Sequence, residues 1–387
     1  MNDAKKFIIL MGIVSLFADM TYEGAKGIAG QYLALLGASA IIVGFTAGFG
    51  ELAGYAVRFL SGYLSDKTLK HWSITFVGYF INLFAVPLLA FVNRWELATM
   101  LLIAERIGKG IRTPPRDAML SYATAHTGRG WGFGIHEALD QIGAVLGPLI
   151  MFTVLYLKGS YKTCFIILAL PAILCISILI ISYFLYPKPE KLEIETKIGI
   201  KSMSKAYWIY VAAASLIALG FADFPLIAYH IKQNFIFSDE IIPLLFSLAM
   251  AIDGISALIF GRMFDKFGIV ILAVSILLSS FFAPLTFLGG SILVIIGICL
   301  WGMGMGVNES IMRSMVTILS PKEKRGSAFG TFHMIFGISW FIGSFIMGFL
   351  YEISLVILAL FSVATQLSSL IFIYILYKMS YSTELPS

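Results

Sequence analysis

Long apolar runs separated by short polar ones occupy the chain almost from end to end. A membrane-spanning helix needs about 20 mostly apolar residues, and twelve runs meet that length. The one long polar stretch, YPKPEKLEIETKIGIKSMSK at residues 186–205, falls between the sixth and seventh runs. The pattern predicts twelve membrane segments, numbered here in chain order, at residues 7–36, 40–62, 72–92, 96–120, 131–157, 162–186, 206–231, 240–262, 269–288, 291–318, 327–350 and 354–378.

Composition supports an all-α polytopic membrane protein. Of 387 residues, 59% are hydrophobic and 13% are charged, against roughly 45–50% and about 25% in soluble domains. The net charge of +5 therefore does not indicate a nucleic-acid partner. No nucleophile–base motif, metal cluster or phosphate loop is present in the sequence. We therefore expect neither an enzyme nor a cofactor, and no metal site.

Lysine and arginine in the loops predict the orientation. On one side of the membrane the loops carry Lys67, Lys70, Arg129 and five lysines of the linker. Arg94 and Lys158 belong to the loops of the opposite side, which contain fewer basic residues. Because basic loops stay on the cytoplasmic side, we expect a multi-pass protein of the cell membrane with both termini cytoplasmic. Asp19 interrupts the first apolar run, which is also too long for a signal peptide. A retained first helix is expected.

The two halves of the chain repeat each other. GYLSDK at 62–67 recurs as GRMFDK at 261–266, and GRGWGFG at 128–134 corresponds to KRGSAFG at 324–330. Gly108 and Gly110 align with Gly304 and Gly306. We predict two pseudo-symmetric six-helix bundles, at 1–186 and 206–387, joined by a cytoplasmic linker at 187–205. Many secondary transporters have such repeats and bind substrate near the midplane at the repeat interface.

Three motifs carry a family resemblance. The loop after segment 2 matches G-x-L-x-D-R/K, although Leu69 replaces a usual glycine. Segment 4 matches L-x3-R-x2-Q-G except that Lys109 replaces the glutamine. Segment 5 matches most of G-x8-G-x3-G-P-x2-G-G, with Met151 and Phe152 in place of the last glycines. The matching residues are Gly62, Leu64, Asp66, Lys67 and Lys70; Leu102, Arg106 and Gly110; and Gly134, Gly143, Gly147 and Pro148.

The whole chain thus resembles the major facilitator superfamily. The segment 5 motif resembles that of drug–proton antiporters, and GKGIRTPPRDA at 108–118 resembles a prokaryotic, archaeal and bacterial, branch. The resemblance implies the major facilitator fold and close helix packing at Gly134, Gly143, Gly147 and Pro148. We also expect Pro114 and Pro115 to end or kink segment 4. A cytoplasmic gate is expected at Asp66, Lys67, Arg112, Arg116, Arg129, Asp265, Lys266 and Arg325.

Charged residues inside the apolar segments are the candidate functional residues. A charge at the bilayer centre costs several kcal/mol, so such residues face a cavity or pair with one another. Arg106 is expected to pair with a carboxylate of segment 1 or 5, and Glu51 and Arg58 add charge on segment 2. The site for proton coupling and substrate is predicted at Asp19, Tyr22, Glu23, Lys26, Arg106, Lys109, Glu137, Asp140, Asp223 and Glu309, in a cavity between the bundles.

These observations favour a secondary active transporter that moves a small solute by alternating access. Proton-coupled export by antiport is the leading hypothesis. Proton-coupled import of an anionic or zwitterionic metabolite is the alternative within transport, and a lipid translocase or a non-transporting sensor on the same fold is the alternative outside it. Expected partners are a small-molecule substrate, protons or another coupling ion, and the lipid bilayer. The protein is expected to be a monomer.

Overall fold

The structure, a computed structural model, describes residues 3–68, 70–124, 129–188, 203–319 and 325–381. Within these ranges the chain is helical almost throughout. The first half forms α1 (Asp3–Leu35), α2 (Ala40–Thr68), α3 (His71–Leu88), α4 (Trp95–Thr124), α5 (Arg129–Tyr156), α6 (Tyr161–Ile167) and α7 (Ala169–Leu185). The second half forms α8 (Lys205–Leu219), α9 (Phe224–Gln233), α10 (Ile241–Phe267), α11 (Ile269–Ser279), α12 (Phe282–Leu288), α13 (Ser291–Val307), α14 (Arg313–Leu319), α15 (Arg325–Ile353) and α16 (Leu355–Tyr381).

The helices account for all twelve predicted segments. Ten stretches of the described residues are long and apolar enough to cross a membrane. Segment 10 contains the shorter apolar helix Ser291–Val307, and segment 4 corresponds to α4, which carries six charged residues between Glu105 and Asp117. The predicted all-α polytopic membrane protein is confirmed.

Four segments are each divided into two helices, a division that the hydropathy pattern does not predict. Segments 6, 7 and 9 become α6–α7, α8–α9 and α11–α12, and a π-helical turn at Asn308–Met312 divides segment 10. Pro171, Pro225 and Pro284 lie just after the first three breaks. Because proline has no N–H and clashes with the carbonyl four residues earlier, each of these prolines accounts for the break that precedes it.

The proline pair of α4 behaves differently, and the expectation that it ends the helix is wrong. Helix α4 runs unbroken from Trp95 to Thr124 through Pro114 and Pro115. Pro115 has no N–H to donate to the carbonyl of Ile111. The hydroxyl of Ser61, on α2, donates to that carbonyl instead, at 2.5 Å. A donor from the neighbouring helix thus satisfies the backbone group that the proline leaves free.

The chain divides into two compact units. The first contains Met1–Ala38, Phe49–Thr196 and Phe237–Ser247, and the second contains Ser39–Gly48, Lys197–Ile236 and Leu248–Ser387. The first turns of α2 therefore belong with the second unit, and the first turns of α10 belong with the first. Most of the predicted linker, at residues 189–202, lies outside the described residues. The predicted domain boundaries stay predictions.

The internal repeat is visible in the helix packing of each unit. In the first, Gly110 of α4 lies so close to α2 that a Cβ atom there would overlap the carbonyl oxygen of Gly54. In the second, Gly306 of α13 has the same relation to the carbonyl oxygen of Asp253 on α10. Gly110 precedes Gly306 by 196 residues and Gly54 precedes Asp253 by 199, which are the shifts between the repeated sequence motifs. The two units thus repeat one helix contact.

Candidate functional site

Six charged side chains of α1, α2 and α4 form one group in the first unit, the α1–α2–α4 cluster. Arg106 Nη1 lies 3.3 Å from Glu51 Oε1, and Arg106 Nε lies 3.1 Å from Glu105 Oε2. Lys109 Nζ lies 3.8 Å from Glu23 Oε1. Lys26 is the sixth member, on the side of the cluster where Glu51 lies. The cluster thus contains three basic side chains and three carboxylates.

The direct ion pairs of Arg106 differ from the expected ones. Among the described residues, its ion pairs are with Glu51 of α2 and Glu105 of its own helix, not with a carboxylate of α1 or α5. Close packing of α2 explains the difference, because a Cβ atom at Gly50 would lie only 3.1 Å from Arg106 Cγ. The guanidinium therefore reaches the side chain that follows Gly50. Asn82 of α3 fixes the other partner, since its Nδ2 donates to Glu105 Oε1 at 2.7 Å.

Tyr22 of α1 lies among three cations of α4. Its ring centroid is 4.1 Å from Lys109 Nζ, 5.6 Å from Arg112 Cζ and 5.7 Å from Arg106 Cζ. A cation at such a distance from an aromatic ring is attracted by the negative face of the ring. The Tyr22 hydroxyl donates to Asp19 Oδ1 at 2.5 Å. Tyr22 therefore connects the anionic side of α1 with the basic side of α4.

Arg112, whose assignment to the cytoplasmic gate stays a prediction, is deeply buried. It is only 1% exposed and lies between α1 and α3. Its Nη1 donates to the Tyr79 hydroxyl at 3.0 Å, its Cζ lies 4.4 Å from the Tyr79 ring centroid, and its Nη2 lies 3.9 Å from Asp19 Oδ1. Arg112 thus belongs with the charges buried inside the first unit.

Arg116, which follows Arg112 by one helical turn in the predicted gate, is also buried. Its Nη1 donates to Ser15 Oγ of α1 at 2.9 Å, and its Nε donates to Asp117 Oδ1 at 2.9 Å. On α5, His136 Nδ1 lies 3.9 Å from Asp140 Oδ2. Asp140 Oδ1 is buried and has no hydrogen-bond partner among the described residues.

Several predicted site residues have side chains outside the described part of the structure. Lys67 and Lys266 are described: each is exposed near the end of its helix, beside the ring of Tyr63 or Phe267. In the described ranges, no group of three or more histidine, cysteine or acidic side chains is placed to hold a metal ion. The predicted residues that lie outside the description are Asp66, Arg129, Gly134, Glu137, Asp265, Glu309 and Arg325.

The segment 5 glycines pack against α1. A Cβ atom at Gly143 would overlap the carbonyl oxygen of Leu16, and one at Gly147 would overlap that of Met20. It would also lie 2.8 Å from the backbone nitrogen of Gly24. Helices α1 and α5 thus approach closely beside the stretch of α1 that carries Asp19.

Asp223 is the described candidate of the second unit, and it lies at the break between α8 and α9. It is 4% exposed, and its Oδ2 accepts hydrogen bonds from Trp340 Nε1 at 2.8 Å and Ser344 Oγ at 2.7 Å. Both donors lie on α15. Neither donor was among the predicted site residues, because nothing in the sequence places them beside segment 7.

Side chains also satisfy the backbone carbonyls freed at this break. The carbonyl of Gly220 accepts from Ser362 Oγ at 2.6 Å and from Gln366 Nε2 at 3.2 Å. The carbonyl of Ala222 accepts from Trp301 Nε1 at 2.7 Å. Buried carbonyls need such partners because an unpaired one carries a large desolvation cost. Side chains of the second unit therefore stabilise the break between α8 and α9.

Known proteins are similar to this chain over nearly its whole length. The family model of the Major Facilitator Superfamily matches residues 8–344 and 209–384. A Mycobacterium tuberculosis protein named as uncharacterised is 35% identical over 379 residues, covering 96% of this chain and 93% of the relative. A protein of Methanocaldococcus jannaschii, named an uncharacterised MFS-type transporter, is 27% identical over 392 residues, covering 97% and 96%.

Solved structures share the fold. A variant of the nucleoside transporter NupG superposes with a TM-score of 0.77 at 14% identity, covering 95% of this chain and 99% of that one. A variant of the peptide transporter POT gives 0.76 at 13% identity, covering 97% and 94%. At these identities the similarity shows the fold and not the substrate.

Proposed function

The chain belongs to the major facilitator superfamily, and on that premise we propose that it exports a small solute in exchange for protons. The resemblance expected from the three sequence motifs is confirmed at the level of the superfamily. Proton coupling, antiport and export are the proposal, supported by the placement of charges in the first unit.

The α1–α2–α4 cluster is the observation that carries the proposal. Glu23 of α1 pairs with Lys109 of α4. Asp19, also of α1, lies beside Arg112, also of α4. A cation next to a buried carboxylate favours its ionised form, and separation of the two in a water-poor environment favours the protonated form. A change in the distance between α1 and α4 would thus take up or release a proton.

The cellular setting follows from the loop charges. Lysine and arginine are concentrated in the loops on one side of the predicted membrane segments, and such loops stay in the cytoplasm. We place the protein in the cell membrane with both termini in the cytoplasm, as a monomer.

The test compares two transport modes of the same purified variants. Glu23→Gln and Asp140→Asn cannot release a proton from the mutated side chain. We expect each variant in proteoliposomes to lose solute accumulation driven by a pH gradient. Counterflow, the exchange of labelled for unlabelled solute without a gradient, should continue when it is measured at saturating solute. Glu96→Gln is the matched control, because Glu96 lies near the start of α4 and pairs only with Arg94 among the described residues.

Two outcomes contradict the assignment. Unchanged gradient-driven flux in both variants would exclude these carboxylates as proton carriers. Equal loss of gradient-driven flux and of counterflow at saturating solute in a folded variant would show that the carboxylate holds the site together and does not carry the proton.

Import by symport is a second candidate, supported by the basic groups of the cluster. Lys26, Arg106 and Lys109 supply positive charge for an anionic or zwitterionic metabolite. The sign of the driving gradient separates the two candidates. Antiport moves solute and protons in opposite directions across the proteoliposome membrane, and symport moves them in the same direction.

A further inference from the structure

We propose that Glu23 and Lys26 of α1 bind the two charged ends of a small zwitterionic solute, such as an amino acid or a dipeptide. This inference rests on the proposed transport function. It adds the class of solute and the two side chains that recognise its ends.

Glu23 offers an acceptor that the protein leaves unused. The residue is 7% exposed, and its Oε1 lies 3.8 Å from Lys109 Nζ. Its Oε2 is fully buried and has no hydrogen-bond partner among the described residues. A buried carboxylate oxygen without a donor is unfavourable, so this oxygen is a site for an incoming N–H group. An ammonium group supplies such donors together with the opposite charge.

Lys26 offers the complementary donor. Within the described residues it makes no hydrogen bond or ion pair with a carboxylate. Glu51 is near enough for an electrostatic interaction with Lys26. Its ammonium carries three donors and no acceptor. The side chain is partly exposed, so a solute can reach it. A carboxylate is the group that this ammonium lacks.

Helix geometry places the two groups close together. Residues three apart lie on the same helix face, and their rise along the axis is about 4.5 Å. Both side chains therefore extend from one face of α1, one helical turn apart, where a single small bipolar molecule can contact both.

The charge balance of the α1–α2–α4 cluster favours the same class of solute. Its basic members are Lys26, Arg106 and Lys109, and its three carboxylates balance them. A bound anion or cation would leave one net charge in a poorly hydrated site, which is costly. A zwitterion keeps the site neutral while satisfying both unused groups.

The first experiment measures binding to the unaltered protein in detergent. Ligands are the twenty standard amino acids and a set of dipeptides, detected by the thermal stabilisation that a bound ligand produces. The strongest ligand is then compared with its N-acetyl form and its methyl ester, each of which removes one charge. We expect each blocked form to bind at least about tenfold more weakly, the loss that about 1.4 kcal/mol represents.

The second experiment assigns the two ends. Glu23→Gln should reduce the discrimination against the N-acetyl form, and Lys26→Gln should reduce the discrimination against the methyl ester. The matched controls are Glu96→Gln and Lys205→Gln, which alter exposed or half-exposed residues at the starts of α4 and α8. Both controls should keep the preference for the zwitterion.

Three results would overturn the inference: no binding by any zwitterion, equal binding of the blocked forms, or discrimination unchanged in both folded variants. The first two results are measured on the unaltered protein. The inference can therefore be tested even if a variant fails to fold. Counterflow with sugars, nucleosides and dicarboxylates distinguishes a wrong solute class from a wrong assignment of transport. Exchange of one of these solutes would leave transport standing and exclude the zwitterion, whereas no exchange of any solute would contradict transport itself.

Discussion

Ser61 shows how one side chain determines the course of a helix. Its hydroxyl donates to the carbonyl of Ile111, which Pro115 leaves without an intrahelical donor. Arg112 and Arg116 follow this carbonyl on α4 and extend into the bundle toward α1. Their positions depend on the continuity of the helix, and therefore on a hydroxyl of α2.

We expect Ser61→Ala to lower the free energy of unfolding by about 1–3 kcal/mol, the cost of leaving a buried carbonyl unpaired. The measurement is equilibrium unfolding of the purified protein, in the wild-type and Pro115→Ala backgrounds. An alanine at position 115 restores the N–H, so the cost of Ser61→Ala should largely disappear there. Equal costs in both backgrounds would show that the hydroxyl stabilises the protein in some other way.

Residue-scale pairing was the part of the site that the sequence predicted least well. Arg106 and Lys109 are three residues apart, so helical periodicity puts them on one face of α4, and both belong to the cluster. It could not predict that Gly50 lets α2 approach Arg106, which brings Glu51 to the guanidinium. Periodicity describes one helix, whereas an ion pair depends on the rotation and distance of two.

Close helix contacts at glycine operate at the scale of the element. Gly147 of α5 lies against Met20 and Gly24 of α1, with no room for a methyl group. Gly330 of α15 is open by comparison: among the described residues, no atom outside its own stretch of helix lies within 4 Å of the position that its Cβ would take. The two glycines therefore offer the same substitution in opposite surroundings.

We expect Gly147→Ala to destabilise the protein by about 1–3 kcal/mol, because the added methyl group forces α1 and α5 apart. Gly330→Ala should be neutral, or stabilising by up to about 1 kcal/mol through helix propensity. Thermal unfolding of both purified variants checks this. Similar melting temperatures for the two would contradict the tight α1–α5 contact.

The number of membrane segments was predictable, but their internal breaks were not. Length and hydropathy gave twelve segments, since each run is close to the length that a bilayer requires. Proline marks three of the breaks, at Pro171, Pro225 and Pro284, yet Pro115 breaks nothing. At Pro115 the freed carbonyl has a donor in Ser61, which lies on another helix and about fifty residues away in the sequence.

At the scale of the whole molecule, the repeat is structural but not chemical. The shift of 196 residues takes Arg106 to Gly302 and Lys109 to Met305. Gly302 lies against the carbonyl of Ala249, and a side chain there would overlap it. The second unit therefore keeps the helix contact and lacks these two charges, which supports the assignment of ion coupling to the first unit.

The proposed orientation predicts a difference between two exposed loop positions. Asn93, between α3 and α4, should face the outside, and Lys266, at the end of α10, should face the cytoplasm. A membrane-impermeant maleimide added to intact cells should label Asn93→Cys and not Lys266→Cys. The unaltered protein sets the background: Cys164 and Cys175 are buried, so any labelling of native cysteine should come from the half-buried Cys299. Labelling of Lys266→Cys alone would invert the proposed topology.

The break between α8 and α9 has a consequence for the order of events during synthesis. The side chains that satisfy its carbonyls follow it by 79 to 146 residues, at Trp301, Ser362 and Gln366. At about 5–20 residues per second, these side chains emerge from the ribosome several seconds to half a minute after the break itself. Residues 205–233 therefore enter the bilayer before these donors exist, and this part of the second unit matures only when nearly the whole chain has been made.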